Sequence, residues 1–284
     1  MSSPIYGEVA RRAGGARNGL VDSEIVARPC WICGTPDSTE EHVWPEWLQK
    51  IAVSGAGEQS SGVTSDPDAW PEWTGAEFEH TRVLCVPCNK RFGEVEGQVS
   101  QLVPVMVGGR SLQLGTADQE LLAQWIYKTG LMVSTTHHDK ASALPRSHYF
   151  DLAKSLDLPQ ASAVWIAQVE KPAYPAGLWL QRYEWQDRER SEPPIGEGFI
   201  FALSVADVAG VVAVLYSGQS PESTDVLPFE LAGLARGRLM KIWPAPDYYG
   251  VRWPPLEKLT ASDFMQLAES LPVLSGDRRS ARLV

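Results

Sequence analysis

The sequence predicts an α+β protein, and three observations predict it. Two Cys-x-x-Cys pairs, Cys30/Cys33 and Cys85/Cys88, sit in an N-terminal stretch broken by a long polar segment. Beyond them, two stretches place apolar residues every three or four positions, the pattern of helices that bury one face. From about residue 160 the texture changes to β-branched and aromatic runs, which read as strands of a mostly antiparallel sheet. The chain has 284 residues, more than the ~100–200 usual for one domain, so two units are expected. The divisions fall at 1–27, a weakly ordered lead-in; 28–104, the cysteine-bearing unit; and 105–284, a mixed helix and antiparallel-sheet region.

Taken in chain order, residues 1–27 lack sustained periodicity, and Arg11, Arg12 and Arg17 read as a solvated tail rather than phosphate contacts. Between the cysteine pairs, residues 54–75 are rich in Gly, Ser, Asp and Pro and read as a long loop. Its Trp70 and Trp73 are expected to cover the core rather than stack on a base. After the second pair, Phe92, Val95, Val99 and Leu102 mark one apolar helix face, with the helix directly following the last cysteine. Residues 116–134 predict a second helix, capped by Thr116 and burying Leu121, Leu122, Trp125, Ile126 and Tyr127, with Gly130 ending or bending it. Strands are expected at 162–169, 177–185, 198–205 and 208–216, then a Pro-rich stretch and a short helix around SDFMQLAES. His137 and His138 read as a loop, since no carboxylate stands at ligand spacing.

Composition excludes several classes. With 44% hydrophobic and 21% charged residues and 11 Trp, the chain is globular rather than disordered or collagenous. No segment approaches the ~20 consecutive apolar residues of a membrane helix, and the first 20 residues contain no apolar secretion core. A cytoplasmic protein is expected, without membrane contact. The net charge of −10 counts against a promiscuous nucleic-acid binder, because such affinity comes from cations neutralising phosphates. Residues 1–100 hold 8 Lys+Arg against 15 Asp+Glu, and the rest 17 against 20.

A reducing compartment makes the four cysteines metal ligands rather than disulfides. Two turn-borne pairs present four soft thiolates, the set that tetrahedral Zn²⁺ takes at a closed structural site with no position left for substrate. A redox pair or buried free thiols are the alternatives. Zinc is the more economical, because all 4 cysteines fall into the paired pattern.

Around the pairs lie TEEHVWPEWL and, at the second pair, CNKRF. The order C-x2-C, acid-His-Val-x-Pro, C-x2-C-Asn resembles the HNH endonuclease superfamily, in its four-cysteine ββα-metal branch, over residues 30 to about 100. The resemblance implies a hairpin bearing the acid and the histidine, a zinc knuckle, and a helix whose first residue is the Asn. It further implies one catalytic divalent ion held by Glu41 and Asn89, with His42 as general base. Carboxylate and amide oxygens suit a hard ion such as Mg²⁺ or Mn²⁺, and an imidazole can deprotonate water near neutral pH.

The chain departs from the family pattern twice. Glu41 replaces the usual Asp, and because adjacent strand residues face opposite ways, Glu40 is a reserve ligand. His80 occupies the position where the family usually carries an Asn, and it too is expected in the site. Lys90, Arg91 and Arg82 can meet a phosphate backbone or simply face solvent, and Glu96 is either a support to the site or polar surface.

The expected function is metal-dependent cleavage of DNA, of the kind that serves restriction or phage defence. Residues 105–284 would supply specificity, oligomerisation or regulation. The acidic balance points to a defined target, an activating protein partner or ligand, or a homo-oligomer. The alternative is a noncatalytic zinc-binding module that engages nucleic acid or protein.

Overall fold

The structure, a computed structural model, describes residues 29–30, 32–36, 38–42, 45–53, 80–134, 144, 146–159, 161–170, 176–187, 196–216, 229–230, 237–245, 250–264, 273–274 and 279–283. It is a mixed assembly of helices and mainly antiparallel sheet. Strand β1 (Ser38–His42) pairs antiparallel with β2 (His80–Cys85), and helix α1 (Glu46–Val53) lies between them in sequence. β2 runs without a break into α2 (Val86–Val99), and α2 packs against both strands.

The helix expected to follow the last cysteine thus begins before it. Pro87 explains the early start: its ring fixes φ and its missing N–H costs nothing in the first turn. Phe92, Val95 and Val99 form the buried face as expected, whereas Leu102 lies past the end of α2, in the turn that leads into α3 (Val103–Val107).

A short strand, β3 (Leu112–Leu114), pairs with β10 (Val251–Trp253), joining the middle of the chain to its late Pro-rich part. Then comes α4 (Thr116–Ser134), at the expected bounds. Gly130 does not end α4, which continues to Ser134. A β-carbon there would stand 2.3 Å from the Phe201 ring, so glycine is what allows the helix to lie directly on the sheet.

The sheet contains β4 (Ser162–Glu170), β5 (Ala176–Asp187), β6 (Gly196–Val205) and β7 (Val208–Tyr216), close to the predicted strands. β5, β6 and β7 form a meander, and β7 then pairs with β4, so the first strand of the four lies beside the last. β9 (Met240–Trp243) and β11 (Leu259–Thr260) pair with β4, and β13 (Arg279–Leu283) pairs with β5. β4 is buried on both faces, which explains its nearly unbroken apolar run. The short strands β8 (Phe229–Glu230) and β12 (Val273–Leu274) pair separately. Residues 261–264 are helical where the last short helix is expected; the rest of that segment lies outside the described residues.

Helix α5 (Arg146–Ser155) has no counterpart in the expected elements. It is seated by buried Tyr149, Leu152 and Ala153, and its His148 Nδ1 meets the Tyr127 hydroxyl of α4 at 2.8 Å. Tyr127 also stacks near Phe199 and Phe201 of β6, so α4, α5 and the sheet share an aromatic layer. Buried apolar residues form one cluster from Cys30 through Phe92 and Trp125 to Trp253. The boundary expected at 104/105 falls inside α3, and the cluster is continuous across it.

Candidate functional site

The first Cys pair sits on a tight turn. The Gly34 amide donates to the Cys30 carbonyl at 2.9 Å, and the Cys30 amide donates to the Thr35 carbonyl at 2.6 Å. Gly34 has φ +77°, a left-handed conformation that glycine adopts without the β-carbon penalty. The second pair is delivered differently: Cys85 ends β2 and Cys88 lies in the first turn of α2. All four sulfurs lie within 4.8 Å of one another, and Cys33 Sγ is 3.4 Å from Cys85 Sγ. A Zn–S bond of about 2.3 Å in a tetrahedron sets the sulfurs about 3.8 Å apart, so the cluster can hold a metal such as zinc.

The thiols differ in environment. Cys33 is exposed and its pKa is pulled down to about 6, first by the Thr35 hydroxyl and then by the Thr35 backbone N–H, both hydrogen-bonded to its sulfur. Cys85 and Cys88 are pushed up, chiefly because burial penalises their thiolates. A divalent cation among the sulfurs supplies the opposite field and favours all four thiolates.

The hairpin lays out the remaining candidates by register. Ser38 stands opposite Cys85 at the cysteine end, and His42 stands opposite His80 at the other. Glu41 pairs with Thr81, and between them and the Thr39–Leu84 pair the register slips, two residues of β2 (Arg82 and Val83) standing against Glu40 alone. A bulge of this kind breaks strict alternation and increases local twist, at the position where Glu40 and Glu41 compete as ligands. Glu41, His42 and His80 are therefore gathered at one end of the hairpin by backbone register; their side chains, with those of Glu40 and Arg82, lie outside what is described.

Asn89 is half-buried in α2. It was expected to open that helix. It is instead the fourth residue, because the helix starts at Val86.

Two residues expected near phosphate or solvent have structural partners. Arg91 Nη1 donates to the carbonyls of Ala153 and of Lys154, the latter at 3.0 Å, in the last turn of α5. Glu96 forms an ion pair with Lys128 of α4, with side chains 13% and 3% exposed. Lys128 also lies 5.9 Å from the Phe92 ring centroid. The signal for Lys128 was present as a lone cation amid an apolar helix pattern, and buried cations are retained when paired. Lys90 is exposed. Arg11, Arg12, Arg17, Trp70, Trp73, His137 and His138 lie outside the described residues.

No helix among the described residues is long and apolar enough to cross a membrane. No family model, curated protein or solved structure matches the chain.

Proposed function

We propose that this protein is a metal-dependent HNH-type endonuclease that hydrolyses phosphodiester bonds in DNA. One observation carries the proposal: a hairpin with His42 opposite His80 at one end and a four-cysteine cluster at the other runs directly into the helix that bears Asn89. Such a frame would let a structural zinc brace the hairpin–helix junction, with the acid and imidazole on the hairpin and the amide on the helix that follows it.

The donor set assigned to the catalytic ion is a Glu41 carboxylate oxygen and the Asn89 amide oxygen, with Glu40 in reserve; hard oxygen donors fit Mg²⁺ or Mn²⁺ and leave positions for water and phosphate. When bound, the ion supplies positive charge beside the reacting phosphate and the departing oxygen. His42 takes a proton from the attacking water as its oxygen bonds to phosphorus. The P–O3′ bond then breaks and the departing oxygen takes a proton from solvent water, leaving 5′-phosphate and 3′-hydroxyl ends. His80 stands opposite His42 in the backbone register, and its assigned part is to support His42 or contact a phosphate. A role in restriction or phage defence would suit an enzyme limited to a defined target or switched on by a partner.

The test is cleavage of supercoiled plasmid over a panel of Mg²⁺, Mn²⁺ and other divalent ions, comparing wild type with His42→Ala and Asn89→Ala. Loss of a general base lowers the rate by roughly 10²–10⁴-fold, and Asn89→Ala should raise the metal concentration needed. Equal cleavage by wild type and His42→Ala would refute the assigned chemistry. The net charge of −10 favours a second reading, a noncatalytic zinc-binding module that engages nucleic acid or protein. Absence of cleavage with every ion, together with partner binding, would select it.

A further inference from the structure

We propose that Arg91 is a positioning residue: it ties the helix that bears Asn89 to the C-terminal end of α5, so that residues 105–284 set the geometry of the candidate catalytic site. The proposal rests on the nuclease reading for its catalytic consequence, but not for the tie itself.

The tie follows from how α5 ends. Its last carbonyls lack the N–H of a following turn, and Leu156 adopts φ +62° and turns the chain away, giving its own amide to Leu152 O at 2.7 Å. The carbonyls of Ala153 and Lys154 are then available to an outside donor, and Arg91 Nη1 reaches both. A cation there also faces the negative end of the helix dipole.

Nη1 holds both bonds while the residue stays exposed, so a phosphate would have to share the guanidinium with α5 through its other donors. One arm of Arg91 is thus engaged with α5, although its sequence position beside Asn89 and Lys90 suggests a phosphate contact. A rigid helix transmits the constraint: Asn89 is two residues upstream of Arg91, so α2 cannot turn or slide without moving both. Further along α2, Glu96 binds Lys128 of α4 and so prevents rotation about the Arg91 contact. α5 is itself anchored through the His148–Tyr127 hydrogen bond and the aromatic layer on the sheet. The cysteine cluster fixes the start of α2, and α4 and α5 fix its middle and end.

The experiment uses the zinc-loaded full chain. Amide hydrogen exchange along α2, zinc content, and Mn²⁺-dependent cleavage kinetics are measured for wild type, Arg91→Ala and Arg91→Gln. Removing a charged hydrogen bond should speed exchange in α2 by about tenfold or more in Arg91→Ala, with zinc retained. Arg91→Gln, which keeps one short donor, should fall between, and it carries the test if Arg91→Ala loses its zinc. In cleavage, kcat should fall about tenfold and the apparent Mn²⁺ constant should rise, while KM for DNA stays within about twofold. Unchanged α2 exchange in both variants overturns the proposal. So does a raised KM with kcat intact and a salt slope lowered by about 1, the mark of a lost phosphate contact. If wild type alone cleaves nothing, α2 exchange by itself decides whether the tie exists.

Discussion

Gly130→Ala sets two effects of opposite sign against each other. In an open helix the change would stabilise by about 1 kcal/mol through propensity. In α4 the new β-carbon would stand 2.3 Å from Cε2 and Cζ of Phe201, whereas carbons pack at about 3.5–4.0 Å. The ring must therefore retreat by more than about 1 Å. Phe201 is fully buried, with Tyr127 and Phe199 stacked near it at centroid distances of 6.3 and 6.1 Å, so it cannot swing aside cheaply. Overpacking of this kind costs about 1–3 kcal/mol and outweighs the gain. The expected net loss is up to about 2 kcal/mol, a fall in Tm of up to roughly 8 °C for a chain of this size. Thermal and urea unfolding of the zinc-loaded protein, followed by far-UV circular dichroism, would measure it. Gly93→Ala and Gly97→Ala in α2 are the controls. A β-carbon at either meets nothing within 4 Å, so each should stabilise by about 0.5–1 kcal/mol. A Gly130→Ala protein stabilised as much as the Gly93→Ala and Gly97→Ala controls would refute the close-approach argument.

Two further outcomes follow from the cysteine cluster and from His148. Metal analysis should find one zinc per chain, lost in Cys85→Ser. Chelation should withdraw on the order of 10 kcal/mol of binding energy coupled to folding and speed exchange in the hairpin and α2; a metal-free protein that melts at the same temperature would exclude a structural metal. Burial depresses the His148 pKa from 6.5 to about 4, with a weaker opposing pull from Asp151. The unfolded chain then binds the extra proton between those values. The stability from neutral His148 is full above about pH 6.5 and lost as pH falls toward 4, at up to ~1.4 kcal/mol per pH unit. Urea midpoints between pH 7.5 and 4.5 should fall less steeply for His148→Gln than for wild type; parallel profiles would show that His148 does not carry the effect.

How far the sequence disclosed this fold depended on whether a signal was local. Helix 116–134 and the four long strands were legible because each declares itself by periodicity or by β-branched runs within its own length. Helix α5 was not: RSHYFDLAKS buries only a narrow set, including Tyr149, Leu152 and Ala153, and leaves Phe150 exposed. Nor was the pairing of β3 with β10, since neither 3-residue strand means anything without the other. At the site, the cysteines were legible because CxxC spacing is itself the ligand geometry. The juxtaposition of His42 with His80 was expected only through a family likeness, and the bulge beside Glu40 depends on cross-strand register, which no local pattern encodes. Arg91 misled because a cation beside a candidate metal ligand suggests phosphate, while its partners, the α5 carbonyls, lie in an element the periodicity did not reveal.

The inward commitment of these cations bears on the acidic charge. Lys128 pairs with Glu96, and Arg238 with Glu257 and Asp263, so these contacts use acids along with the bases and leave the chain as acidic as before. Arg91 is different: it spends a cation on neutral carbonyls, next to the site where a nuclease would most use one. On the nuclease reading, DNA affinity would then draw on Lys90, Arg82, a partner, or an assembly of copies. On that reading, an enzyme built this way would give up general grip on DNA while keeping the helix of Asn89 placed. Such a division would suit a nuclease that waits for a defined target or an activating partner.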